Sequence, residues 1–275
     1  MKILVCDRLE EKVLDKFEEL GEITNISESK TKTEDLKSNI VDTEIVVIRS
    51  GTKINKDILE NAKNLKIIAR CGVGVDNVDV EEATNKKIYV TNSPNANIIS
   101  VAELTIGLII SAARKIHVSN NSLKDKKWDR NKFLGTELYQ KQLGLVGFGK
   151  AAKEVAKRLS AFGMNIVFYD PYVDSSTIEA KKVDLDELLK TSDVISIHVV
   201  KTEETTNLIN NEKLNLIKKG GILVNTSRGG IVDEESLFQK ANEDLIFAGL
   251  DVFSQEPPDI NETFSKSNIV TTPHL

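Results

Sequence analysis

The 275-residue chain has two cysteines, five prolines and only 5% aromatic residues. Cys6 and Cys71 are too few and too far apart for a disulfide framework or a metal-ligand pattern. Both are therefore read as reduced, buried thiols of a cytoplasmic protein, and no metal is expected. Positive charge is not in excess. Lys and Arg number 37 against 42 Asp and Glu, for a net charge of −5 with the signs interspersed. Such a surface lacks the basic face a nucleic-acid binder needs. No apolar run is long enough for a bilayer: the longest, 101–113, carries Glu103 and ends at Arg114-Lys115, short of the roughly 20 residues required. No membrane partner is expected. The five residues ILVCD after Met1-Lys2 give way to charges, which is too short for a signal-peptide apolar region.

Hydrophobic residues make up 40% of the chain and charged residues 29%, enough apolar content for a sizeable core. The length exceeds the usual single domain of roughly 100–200 residues, so two domains are expected. Short β-branched runs alternate with charged segments of helical periodicity, the pattern of parallel sheets flanked by helices. One series runs through 3–7, 44–50, 66–71 and 88–92, with helices near 10–20, 55–63 and 79–86. An apolar helix over about 99–118 separates it from a second series at 143–147, 165–170, 194–199, 222–227, 247–252 and 268–273. The stretch 124–132 is polar and reads as an exposed connection.

The strand at 143–147 leads into Gly147-Phe-Gly149-Lys150-Ala151-Ala152 and then an amphipathic segment. Such a strand–turn–helix uses Gly147 for a tight turn and Gly149 for close approach of a pyrophosphate, with a small residue at 152 for helix–strand packing. Asp170 ends the next strand, 18 residues beyond Ala152, near the spacing at which an acid binds the adenosine ribose hydroxyls. A carboxylate there repels a 2′-phosphate, and Pro171-Tyr172-Val173 supplies no Arg to offset it. NAD is therefore expected over NADP. His117, at the charged end of the apolar helix, is read as structural.

These motifs, with GVGVDNVD (72–79), NSPNANIISVAELTIGLI (92–109), KKWDRNKFLGTEL (126–138), NTSRGGIVDE (225–234), DVFSQEPP (251–258) and TPH (272–274), give a chain-long resemblance. The chain resembles the D-isomer-specific 2-hydroxyacid dehydrogenases, and within them most of all the phosphoglycerate enzymes. The resemblance implies an α/β fold of two parallel-sheet domains: a flavodoxin-like substrate domain over 1–96 and a Rossmann domain over 97–275, with cofactor and substrate held in the cleft between them. It assigns catalysis to Arg228, Glu256 and His274. His274 suits the general base, since imidazole titrates near neutrality. Glu256 would fix its tautomer and favour the imidazolium. Arg228 offers a planar fork to the substrate carboxylate. Singly, each is an ordinary turn, loop or strand-end residue; their occurrence together in the family's order carries the reading.

The resemblance further implies cofactor contacts at Lys150 and Ala151, at His198 and Val199 beside the adenosine half, at Thr226, Ser227 and Arg228 near the nicotinamide ribose, and at Asp251. Val73, within Gly72-Val-Gly74, would face both nicotinamide and substrate, and Arg49-Ser50 would bind substrate, with Arg130 and Lys132 as further phosphate partners. Two positions depart from the pattern: Val200 stands where Pro is usual and Ala152 where Gly is usual. The family also continues past the His with a turn and a helix returning to the small domain. That helix is missing here, so the sequence reads as truncated at Leu275. The expected reaction is oxidation of 3-phosphoglycerate to 3-phosphohydroxypyruvate, a step of serine biosynthesis. Alternatives are a glyoxylate or hydroxypyruvate reductase and a non-catalytic NAD-sensing interaction protein. Finally, the stretch 101–113 is apolar around more than the roughly 100° stripe of a one-sided helix. A homodimer through residues near 101–137, independent of the first domain, is expected to cover it.

Overall fold

Strands form where aliphatic and β-branched residues run together between polar turns. Most are followed by a helix and none by a tight hairpin, so successive strands lie parallel. The computed structural model describes residues 1–266 and 268–275. Contacts divide them into two units, Met1–Asn97 and Ile98–Leu275.

In the first unit the strands are β1 (Lys2–Val5), β2 (Glu22–Asn25), β3 (Ile45–Ile48), β4 (Ile67–Arg70) and β5 (Tyr89–Asn92). They alternate with α1 (Glu11–Glu18), α2 (Lys32–Asn39), α3 (Lys56–Asn61) and α4 (Val80–Asn85). The sheet order is β2-β1-β3-β4-β5, all parallel, which is the flavodoxin-like order. β2 and α2 were not legible as elements in the sequence. The strand reads EITN and none of its residues is buried, because an edge position needs no continuous apolar run.

The second unit opens with α5 (Ile98–Arg114) and α6 (Ile116–Lys124) and continues β6 (Gln142–Val146), α7 (Lys150–Ser160), β7 (Asn165–Tyr169), β8 (Lys181–Lys182), α8 (Leu185–Thr191), β9 (Val194–Ile197), α9 (Asn211–Leu214), β10 (Gly221–Asn225), α10 (Glu234–Asn242), β11 (Ile246–Leu250) and β12 (Ile269–Thr271). The order β12-β11-β10-β9-β6-β7-β8 is again parallel throughout. This is the doubly wound Rossmann arrangement with a seventh strand added, and the strand order reverses between β6 and β9. Helix α7 buries Ala152, Val155, Ala156 and Leu159, one apolar stripe at helical spacing. Phe148 stacks on Phe168 at 4.0 Å beneath the first βα turn.

The apolar helix ends earlier than its sequence suggests. Lys115 adopts the left-handed region, φ 53°, and α6 restarts at Ile116. Toward its own sheet α5 buries Ala102, Thr105, Leu108, Ile109, Ala112 and Ala113. No helix among the described residues is long and apolar enough to cross a membrane.

Candidate active site

The turn after β6 is shaped by what surrounds it. Gly147 has φ +88°, and a Cβ there would sit 2.8 Å from the His198 carbonyl carbon and the Val199 nitrogen. The ends of β6 and β9 thus touch at the switch point, where open α/β sheets bind ligands. At Gly149 the opposite holds: a Cβ would meet nothing within 4 Å. Gly149 is also the N-cap of α7 and carries no side-chain cap, so the helix presents uncapped first-turn amides to open space, as anion binding requires. Lys150 and Ala151 begin that helix. These features fit a dinucleotide pyrophosphate.

Asp170 follows β7. Its Oδ2 accepts the Phe148 amide at 2.8 Å and its Oδ1 the Tyr172 amide at 2.8 Å. The acid therefore holds the glycine turn, and an ionised carboxylate keeps further lone pairs for hydroxyl donors. His198 is half-buried and pairs through Nε2 with Ser196 Oγ at 2.9 Å. Burial presses its imidazole down to about 4, so it is neutral at pH 7. Val200 is exposed.

Three adjacent strands carry the remaining second-unit candidates on their carboxyl ends. After β10, Asn225 shapes a turn by accepting the Ser227 amide at 3.0 Å and donating to the Arg228 carbonyl at 2.8 Å. The buried Thr226 hydroxyl pairs with Thr105 of α5 at 2.7 Å, and Ser227 Oγ donates to the Val199 carbonyl. Arg228 is half-buried, with Nη1 donating to the Ser227 carbonyl at 2.7 Å. After β11 comes Asp251, buried, its carboxyl pushed up by desolvation against the lowering effect of the Thr272 hydroxyl at 2.6 Å and the Leu275 amide at 3.0 Å. Glu256 Oε1 accepts the Phe253 amide at 3.1 Å, and Oε2 meets His274 Nδ1 at 2.7 Å. His274 follows β12 in a left-handed conformation, φ 55°, with its amide on the Asp251 carbonyl at 2.9 Å. A non-glycine residue held there is strained by roughly 1–2 kcal/mol, and Asp251 holds the chain on both sides of it through the Thr272 hydroxyl and the Leu275 amide.

In the first unit, Arg49 and Ser50 are exposed just beyond β3. Asp7 accepts the Arg49 amide at 2.6 Å and Lys32 Nζ at 2.6 Å. Asn77 donates to the carbonyls of Arg49 at 2.7 Å and Thr52 at 2.6 Å. The Gly72-Val73-Gly74 loop leaves neighbouring β4, and Asn92 holds the Val73 carbonyl at 2.7 Å. Val73 is exposed. A depression of about 840 Å³ beside Arg8 and Arg49 is also lined by Glu10, Glu11 and Asp35, a mixed-charge wall that does not select anions. Arg130 lines a separate depression, and Lys132 pairs with Asp129 at 3.1 Å. Among the described residues no group of three His, Cys, Asp or Glu is placed to hold a metal.

Sequence reasoning missed the side chains that hold these loops: Asp7, Asn77, Asn92, Asn225 and Glu234, the last accepting the Gly230 and Ser254 amides. Only Glu234 carried a readable signal, as an acid in the first turn of a helix beside its Asp233 cap. Asn225 acts within its own turn, and Asp7, Asn77 and Asn92 act between loops distant in sequence.

The doubly wound sheet, glycine turn and acid after the second strand define a dinucleotide-binding protein. Comparison with known proteins makes the class specific. Residues 106–275 match the model of the D-isomer specific 2-hydroxyacid dehydrogenase NAD binding domain. The whole chain is 47% identical to D-3-phosphoglycerate dehydrogenase of Methanocaldococcus jannaschii, covering 53% of that protein. It is 44% identical to hydroxypyruvate reductase of Thermotoga maritima, covering 90% of it. Among solved structures, the TT0316 protein of Thermus thermophilus superposes with a TM-score of 0.93 at 35% identity, over 100% of this chain and 89% of that one. The chain belongs to the D-isomer specific 2-hydroxyacid dehydrogenase family, and its second unit contains that family's NAD-binding domain. It spans about half the length of the D-3-phosphoglycerate dehydrogenases it matches.

Proposed function

We propose that the protein catalyses reversible NAD-linked oxidation of a small D-2-hydroxyacid, with 3-phosphoglycerate as substrate and 3-phosphohydroxypyruvate as product, in the cytoplasm. The observation that carries this reading is the His274–Glu256 pair at 2.7 Å, on a strand end beside those of Asp251 and Arg228. Glu256 accepts from Nδ1, which keeps the proton there and leaves Nε2 with a lone pair toward a substrate hydroxyl. His274 then takes the hydroxyl proton at Nε2 during oxidation and returns it during reduction. Arg228 binds the substrate carboxylate through its guanidinium fork and polarises the reacting oxygen. When bound, NAD supplies the acceptor for the hydride leaving the substrate carbon. Lys150, Ala151 and the Gly147–Gly149 turn hold its pyrophosphate in this reading. Asp170 takes the adenosine ribose, His198 and Val199 flank the adenosine, and Thr226, Ser227 and Asp251 serve the nicotinamide end. The first unit contributes Gly72, Val73 and Gly74 together with Arg49 and Ser50 as substrate contacts. Retention of Arg228, Glu256 and His274 argues against a purely NAD-sensing role.

The test is steady-state turnover with 3-phosphoglycerate, D-glycerate and D-lactate. A cation that binds the phosphate should raise kcat/KM for the phosphorylated substrate by roughly tenfold or more over glycerate. A second reading, hydroxypyruvate reductase, is supported by the T. maritima relative, which the chain matches over nine-tenths of its length. Equal or better turnover of unphosphorylated hydroxypyruvate would favour it.

Cofactor choice is a separate expectation. Asp170→Ala should narrow the preference for NAD over NADP by roughly 10–100-fold, since it removes both charge-assisted ribose bonds and the repulsion of a 2′-phosphate. The ratio of the two dissociation constants is the measurement, and an unchanged ratio would contradict the assignment.

We also infer a homodimer through residues near 101–137. Leu104, Ile106 and Ile110 of α5 are only partly buried. An apolar groove of about 500 Å³ lies between α5 and α7, with Ile106 and Phe162 on its wall. Beyond α6, Trp128 and Leu134 are 79% and 84% exposed, far more apolar surface than a solvated loop needs. Light scattering should return twice the 30.5 kDa chain mass. The double substitution Trp128→Asp, Leu134→Asp should shift it to the single mass, and a parent chain monomeric at micromolar concentration would refute the inference.

A further inference from the structure

Two loops must keep a fixed relation for the proposed site to work: the one after β10 that carries Arg228 and the one after β11 that carries Glu256. Backbone packing brings them together. A Cβ on Gly229 would lie 1.8 Å from the Phe253 carbonyl carbon, so the Arg228-Gly229-Gly230 turn rests directly on the Phe253-Ser254 main chain. Packing alone leaves polar groups at the contact that need partners. Glu234, the first residue of α10, provides them. Its Oε1 accepts the Gly230 amide at 3.1 Å and the Ser254 amide at 2.7 Å, and its Oε2 accepts Ser254 Oγ at 2.9 Å.

We propose that Glu234 is a positioning residue that clamps the Arg228 loop to the Glu256 loop and so sets Arg228 against the His274–Glu256 pair. One side chain bonds both loops at once, and its length is what lets it reach both. From Ser254 the link runs back one residue to Phe253, whose amide is held by Glu256 Oε1 at 3.1 Å, and from Glu256 Oε2 to His274 Nδ1. A shift of about 1 Å in such a constellation is enough to cost catalysis. The neighbouring acid, Asp233, already caps the helix, accepting the Ser236 amide at 3.1 Å and its hydroxyl at 2.7 Å. Helix initiation therefore has its own residue, and Glu234 is turned to the two loops.

Two substitutions separate reach from charge. Glu234→Gln keeps the length and one carbonyl acceptor but loses the charge; Glu234→Asp keeps the charge in the first turn of the helix but is one methylene short. The clamp predicts that Asp is the damaging change. In the protein without cofactor, hydrogen exchange at the Phe253 amide reads the hold on Glu256 independently of turnover. It should speed up by about tenfold or more in Glu234→Asp, together with Gly230 and Ser254, and remain near parental in Glu234→Gln. In steady state, Glu234→Asp should lower kcat by about tenfold with the NADH dissociation constant unchanged, because the Gly147–Gly149 turn is held by Asp170; Glu234→Gln should retain most of the turnover. The reverse pattern, with Gln damaging and Asp harmless, would mean that Glu234 serves only the charge balance of the helix start and would overturn the proposal, as would parental Phe253 exchange in both variants. The effect on turnover rests on the proposed reaction. Should the parent oxidise no 2-hydroxyacid, that reaction falls, while Phe253 exchange still decides the clamp.

Discussion

Replacing His274 with alanine is expected to cut turnover by roughly 10²–10⁴-fold, the usual worth of a positioned acid–base group. NADH affinity should stay nearly intact. The separation follows from where the imidazole is held: its contacts are to Glu256 through Nδ1 and to Asp251 through its own amide. The amide contact survives the substitution, and the Gly147–Gly149 turn and Asp170 lie on β6 and β7, across the sheet from β12. Alanine also relieves no backbone demand, since φ 55° disfavours it as much as histidine. A chemical role thus predicts a fall in kcat alone. Parallel losses of NADH binding and turnover, measured by fluorescence titration and steady-state kinetics, would show His274 to be structural.

Gly229→Ala should be the most disruptive single methyl in the second unit. The added carbon would fall 1.8 Å from the Phe253 carbonyl carbon and 1.9 Å from its oxygen. Because both are main-chain atoms, no rotamer change can relieve the overlap. The two loops must separate, breaking the Glu234 contacts to Gly230 and Ser254. Overpacking of this kind costs about 1–3 kcal/mol. We expect a lowered Tm and a loss of kcat/KM for the hydroxyacid of about 100-fold or more, near that of removing a catalytic contact. Gly149→Ala is the control, since its Cβ meets no protein atom: stability should hold while NADH binding weakens. Parental Tm and turnover in Gly229→Ala would contradict the packing described.

The glycine turn was readable because its residues are contiguous and each has a local job: a left-handed φ at 147, an open approach at 149, a small side chain at 152. Asp170 was readable by spacing, but its grip on the Phe148 amide was not, because that bond joins residues 22 apart through strand pairing. The Arg228, Glu256 and His274 assignments came from resemblance. No local pattern relates 228, 256 and 274; the strand order β12-β11-β10 puts the loops that carry them after adjacent strands. The apolar helix was legible in existence and not in extent, since nothing in Ala-Ala-Arg-Lys-Ile-His signals that Lys115 turns left-handed.

The sequence by itself determined the alternation of strands and helices, the parallel sheets that alternation requires, and the chemistry of the dinucleotide turn. These follow from residue periodicity and from short-range steric demands, which neighbouring residues satisfy among themselves. Only the tertiary structure decided which loop each carboxylate holds. Asp7, Asp170, Glu234 and Asp251 look alike in a sequence, as acids near strand or helix ends. Each accepts a main-chain amide from another strand's loop, and which amide arrives within hydrogen-bond reach depends on sheet order and close backbone packing rather than on the residues beside it.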